Sequence, residues 1–194
     1  MLSPLVKMSS DRKSWDSFEA MRAAAHAGDA QAQCYLGVCY QNGQGVEQNH
    51  QEAVKWLRRS ADQNDPVAQC YLGVCYWMGQ GVPQEFSEAA KWLREAADQD
   101  DPAAQFNLGV FFEQGQVVKQ DFTEAAKWYL LAANQELADA QCNLGLCFQT
   151  GRGVAQNTSE AVKWFIKAAR QGNKTAQHNL GLHYAAVEAG QLPE

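Results

Sequence analysis

Residues 32–57 read AQCYLGVCYQNGQGVEQNHQEAVKWL, and residues 68–93 read AQCYLGVCYWMGQGVPQEFSEAAKWL. The two stretches lie 36 residues apart and align without a gap. The same register runs along the chain. Leu-Gly recurs at Leu36-Gly37, Leu72-Gly73, Leu108-Gly109, Leu144-Gly145 and Leu180-Gly181. Ala-Gln recurs at Ala32-Gln33, Ala68-Gln69, Ala104-Gln105, Ala140-Gln141 and Ala176-Gln177, and tryptophan at Trp56, Trp92, Trp128 and Trp164. Three series sharing a 36-residue period without an insertion mark a stack of one supersecondary unit.

Each repeat reads as helix A, a tight loop and helix B. In the first, helix A is expected over about 29–41, where Ala32, Leu36, Cys39 and Tyr40 follow the spacing of a buried helical face. Asp65-Pro66 and Asp101-Pro102 pair a cap residue with proline at the first helical position. Gly43-Gln44-Gly45-Val46 supplies the left-handed backbone that ends the helix. The third repeat carries Gln116-Val117 there, which predicts a rearranged loop. Helix B opens at Asn49, with Glu52 three positions on, and Asp121 with Glu124 and Asn157 with Glu160 repeat this capping-box spacing. Glu85 breaks the pattern in the second repeat. Ala53, Trp56, Leu57 and Ala61 form the buried face of helix B.

The phase assigns the ends as well. Ala24-Ala25 falls 36 residues before Ser60-Ala61, so residues 14–28 are a leading helix B. Four full A–B repeats follow from about residue 29, then a final helix A over about 173–187. Residues 1–13 read as a flexible segment and 188–194 as a tail, around one solenoid. A helical pair cannot bury its own apolar face, so the repeats must stack. The expected fold is all-α, a right-handed α/α solenoid of antiparallel helix pairs.

The pattern Ala-Gln-x-x-Leu-Gly-x-x-Tyr-x-x-Gly-x-Gly-Val, then Glu-Ala-x-x-Trp, then Ala-Ala, resembles the Sel-one-like repeat family, a relative of the tetratricopeptide repeats. The resemblance covers about residues 29–184 and implies a bacterial adaptor or scaffold that binds a protein or peptide. It also implies that helix A lines a concave groove. The residues beside the core stripe would then face the partner: Cys34, Tyr35, Val38 and Gln41; Cys70, Tyr71, Val74, Trp77 and Met78; Phe106, Asn107, Val110 and Glu113; Cys142, Asn143 and Leu146; and Asn179. The asparagines suit a ligand backbone. Trp77-Met78 stands where the other repeats are polar, and reads either as a binding anchor or as cover for the neighbouring loop. Two alternatives accompany the adaptor reading. One is a self-associating array, a weak homodimer formed through the solenoid ends. The other is a secreted or translocated bacterial factor acting on a host or rival cell.

The cysteines form three equal pairs, Cys34 with Cys39, Cys70 with Cys75 and Cys142 with Cys147. Five residues along a helix separate Cα atoms by roughly 8–9 Å, beyond the roughly 7 Å a disulfide spans. Phe106 and Phe111, and His178 and His183, stand at the equivalent positions elsewhere. Sites that accept Cys or Phe are packing sites, so these thiols read as small apolar groups. Some secreted members of the resembled family tie helix A to helix B with a cysteine pair, and helix B here has none. Neither these residues nor the isolated His26 and His50 suggest a metal site, and no nucleophile–base set or phosphate loop appears. The expectation is no catalysis, no cofactor and no metal.

The chain has 194 residues, 46% of them hydrophobic, and a net charge of −6. With a pI near 5.2 it lacks the clustered basic residues a nucleic-acid partner requires. Its charges alternate, as at Lys55, Arg58 and Arg59 before Asp62 and Asp65. No apolar run suffices for membrane insertion or a signal peptide. The expected location is cytoplasmic, with leaderless secretion or a trimmed leader as alternatives.

Overall fold

The computed structural model describes residues 15–115 and 119–190. Among these lie ten helices and no strand: α1 Phe18–His26, α2 Ala30–Asn42, α3 His50–Ala61, α4 Pro66–Met78, α5 Phe86–Ala97, α6 Pro102–Gln114, α7 Phe122–Asn134, α8 Ala138–Thr150, α9 Thr158–Arg170 and α10 Lys174–Glu188. The leading helix B is α1 and the final helix A is α10. The expectations for residues 1–13, for residues 191–194 and for the Gln116-Val117 loop fall outside the described residues. The chain divides into two compact units, residues 1–104 and 105–194.

Within each unit the helix starts follow the sequence. Asp29, Asp65, Asp101 and Asn173 accept the backbone N–H three residues on, at 2.8–2.9 Å. Leu137 holds the matching place before α8 and makes no such bond. Helix B is capped at Asn49, Asp121 and Asn157, and Glu85 caps nothing with its side chain.

The capping box is only half formed. The N–H that a box glutamate would take instead donates to helix A, from Asn49 to the Tyr40 carbonyl at 2.8 Å, Asp121 to Phe112 at 3.0 Å and Asn157 to Phe148 at 2.9 Å. Glu85 does the same to Tyr76 at 3.0 Å. The freed glutamates pair with lysines one turn on, Glu52 with Lys55, Glu124 with Lys127 and Glu160 with Lys163. A second glutamine series closes each hairpin. The Nε2 atoms of Gln48, Gln84, Gln120 and Gln156 donate to the carbonyls of Gln41, Trp77, Glu113 and Gln149 at 2.7–2.9 Å.

The Ala-Gln glutamine joins one repeat to the next. Gln33 donates to the Ala25 carbonyl at 3.1 Å and accepts from Gln63 at 2.8 Å. Gln69 donates to Ala61 at 3.5 Å and accepts from Gln99 at 2.8 Å. In the second unit Gln141 donates to Ala133 at 3.2 Å and accepts from Gln171 at 2.9 Å. These buried amides find partners on both sides, which removes the penalty of burying them.

The Leu-Gly glycine sets how closely helices A and B approach. A methyl group added at Gly37 would lie 2.7 Å from Leu57 Cγ, and at Gly73 2.8 Å from Leu93 Cγ. In the second unit it would lie 2.5 Å from Tyr129 Cε1 at Gly109 and 2.6 Å from Phe165 Cε1 at Gly145. Around these contacts the first unit buries clusters built on Leu57, Leu72 and Trp92 and on Met21, Leu36 and Trp56. The second unit buries clusters built on Phe106, Tyr129 and Leu144 and on Cys142 and Phe165.

Candidate protein-interaction face

Helix A turns one stripe away from the core in each repeat. In α2 the residues outside the buried set include Gln31, Tyr35, Val38 and Asn42, spaced i, i+4, i+7, i+11. The same positions hold Val67, Tyr71, Val74 and Met78 in α4, with Tyr71 the buried exception. In the second unit α8 presents Asp139, Asn143, Leu146 and Thr150. The two ends of the stripe change from repeat to repeat, the Val38 position stays aliphatic, and the core Ala-Gln and Leu-Gly pairs do not change.

The predicted partner-facing residues divide between this stripe and the core. Tyr35, Val38, Gln41, Val74, Val110, Glu113, Asn143, Leu146 and Asn179 are partly exposed, and Met78 is 49% exposed. Cys34, Cys70, Phe106 and Cys142 are buried, as are Tyr71, Trp77 at 5% exposure and Asn107 at 4%. Tyr35 already packs edge-on against Trp15, with centroids 5.3 Å apart. Most of the Trp77 ring is therefore covered by its own fold, and Met78 is the accessible half of that pair.

All six cysteines are buried thiols outside any disulfide. Burial pushes Cys75 up to about 12, Cys142 and Cys147 up to about 11, and Cys39 upward too. A thiol held protonated is a poor nucleophile and a poor metal ligand. Among the described residues no group of three His, Cys, Asp or Glu side chains could hold a metal ion. No described helix is long and apolar enough to cross a membrane.

One polar cluster was not visible in the spacing. Tyr129, where α3 and α5 carry leucine, donates its hydroxyl to Glu113 Oε2 at 2.6 Å, and the Asn143 side chain hydrogen-bonds the same phenol. Burial and the neighbouring carboxylate hold that phenol far above its usual range.

The Sel1 repeat model matches residues 30–65, 66–101, 102–137 and 138–173, in the register of the helix pairs. The chain belongs to the Sel1 repeat family. Its fold is similar to that of a protective antigen of uropathogenic Escherichia coli displaying an SLR fold, with 37% identity and a TM-score of 0.80 over 87% of this chain and 36% of that one. A Sel1 repeat protein of Oxalobacter formigenes shares 36% identity with a TM-score of 0.75, over 85% of this chain and 48% of that one. Cysteine rich protein B of Helicobacter pylori shares 26% identity with a TM-score of 0.54, over 70% of this chain and 98% of that one. This chain thus spans between a third and a half of the first two proteins. No curated protein matches the sequence. Sel1 repeat proteins are generally non-catalytic helical scaffolds that bind protein partners.

Proposed function

We propose that this Sel1 repeat chain is a non-catalytic adaptor that binds a peptide or partner protein on the outward stripe of helix A. The observation that carries this reading is the division of labour within helix A. Ala-Gln and Leu-Gly repeat unchanged in the core, and the two ends of the stripe beside them vary, with Gln31 and Asn42 in α2, Val67 and Met78 in α4 and Asp139 and Thr150 in α8. Packing requires the first set to be constant. Recognition is what a varied, partly exposed set can supply.

The test uses residues the core does not need. Val74→Glu with Met78→Glu places two charges on the α4 stripe and leaves Trp77 and Asn107 in place. A partner captured from lysate of the source cell by the wild type, and lost by this correctly folded variant, is the expected outcome. Equal capture by both proteins sinks the helix-A assignment.

A second reading, self-association, has its own observation. Leu182 is 57% and Tyr184 51% exposed on α10, and a methyl group added at Gly181 would meet nothing within 4 Å, unlike its four equivalents. That face has the form of a helix-B acceptor. Concentration-dependent light scattering that Leu182→Glu abolishes supports self-association, and a strictly monomeric wild type rejects it.

A further inference from the structure

Glu113 carries a charge that its packing does not require. It lies in the last turn of α6, where the other repeats place Gln41, Trp77 and Gln149. Its Oε2 accepts the Tyr129 hydroxyl. An amide oxygen accepts such a proton too, and two of the three equivalents are glutamine, so the phenol explains an acceptor at this position and not an ion.

Glu113 is partly exposed, and its second oxygen, Oε1, has no hydrogen-bond partner among the described residues. No ion pair joins it to a described lysine or arginine. Arg152, which flanks Cys147 together with Glu113, lies over the Phe122 ring with Cζ 5.5 Å from the centroid. Lys127 and Lys163 pair with Glu124 and Glu160. Tyr129, itself hydrogen-bonded by Asn143, meanwhile holds one carboxylate oxygen before any ligand arrives. Val110 and Leu146, partly exposed on α6 and α8, offer apolar surface of the kind that the methylene stem of lysine or arginine covers.

We propose that the Glu113 carboxylate, held by the Tyr129 hydroxyl, anchors a basic side chain of the protein partner. The inference rests on the helix-A reading above and adds the chemistry of what is bound there. The carboxylate selects for lysine or arginine at one partner position, and the rest of the stripe contributes neutral contacts.

The probe is a random dodecapeptide library displayed on phage, selected on immobilised wild-type protein. Selected peptides are then synthesised and titrated against the wild type and against Glu113→Gln, which keeps an acceptor for Tyr129. The expected peptides share one basic residue at a fixed place. They bind Glu113→Gln about fivefold or more weakly, the factor that about 1 kcal/mol represents. The wild-type affinity falls more steeply with salt than the variant's. Replacing the peptide's arginine by citrulline produces the same loss on the wild type, so the answer does not depend on how well Glu113→Gln folds. Peptides without a shared basic residue, or equal binding by both proteins, overturn the anchor and leave the helix-A reading standing. A library that yields no wild-type binder overturns the anchor, and the lysate capture described above then decides the helix-A reading.

Discussion

In the first unit a leucine covers the helix-A glycine, and in the second an aromatic ring does. Leu57 and Leu93 stand over Gly37 and Gly73, whereas Tyr129 and Phe165 stand over Gly109 and Gly145. The four approaches differ by only 0.3 Å, from 2.5 to 2.8 Å to an added methyl group. What the repeats hold constant is the missing side chain on helix A, and the group that fills the space is free to vary. That freedom has a chemical consequence in one repeat. Tyr129 brings a hydroxyl into a buried place, and Glu113 supplies its acceptor. Phe165 brings no hydroxyl, and the matching Gln149 is exposed.

The largest test of this comparison is to add the methyl group. Gly73→Ala and Gly109→Ala should each cost about 1–3 kcal/mol in urea unfolding, the range for overpacking a tight core. The cost should be larger at Gly109, because a ring edge yields less than a leucine branch. Equal losses would show that the covering group does not matter. Next in size, Tyr129→Phe should cost about 1–2 kcal/mol, since Glu113 loses its buried donor. No loss in the same unfolding experiment would mean that the hydroxyl contributes nothing to the second unit.

Two smaller changes should stabilise. Glu85→Asn supplies the side-chain cap that α5 lacks and α3, α7 and α9 have, with an expected gain of about 0.5–1 kcal/mol. Gly181→Ala should gain up to about 1 kcal/mol from helix propensity, because nothing opposes the new methyl group. A loss there would show that the face is covered in solution. The last difference is silent near neutrality. The buried thiols take up their protons more tightly in the folded chain, so their contribution is fully present below the ordinary thiol value of 9.0 and is lost as pH rises through about 11 at Cys142 and Cys147 and about 12 at Cys75. Thiolate absorbance of Cys75, Cys142 and Cys147 should therefore be missing when the folded protein is titrated through the ordinary thiol value of 9.0. Ionisation at the ordinary value would contradict their burial.

The helix pairs, their caps and both end helices were legible because they rest on local rules and on a fixed period. The half-formed capping box was not, because the competing acceptors, such as the Tyr40 carbonyl, come from a different helix. The burial of Trp77 was missed for a similar reason. Its counterparts in the other repeats, Gln41, Glu113 and Gln149, are polar, and only packing shows that its ring is covered. Both closing glutamine series were in plain view. Gln48, Gln84, Gln120 and Gln156, and Gln63, Gln99, Gln135 and Gln171, recur every 36 residues in positions that neither amphipathicity nor helix propensity explains. A polar residue that repeats without an evident local reason is a sign of a hydrogen bond across elements. The Glu113–Tyr129 pair offered a fainter sign, two departures from the repeat that occur together.

The glutamine that links neighbouring repeats also governs how such a chain can change its length. Gln69 reaches back eight residues to Ala61 and receives Gln99 from thirty residues ahead. A duplicated block of 36 residues brings its own donor and its own acceptor, so every bond of this kind is regenerated at the new junction. An insertion of another length inside one of the helices displaces a donor from its acceptor and strands a buried amide. Genes for such arrays can therefore lengthen or shorten in whole steps by recombination between near-identical blocks, and the outward stripe of helix A gains or loses one row at each step.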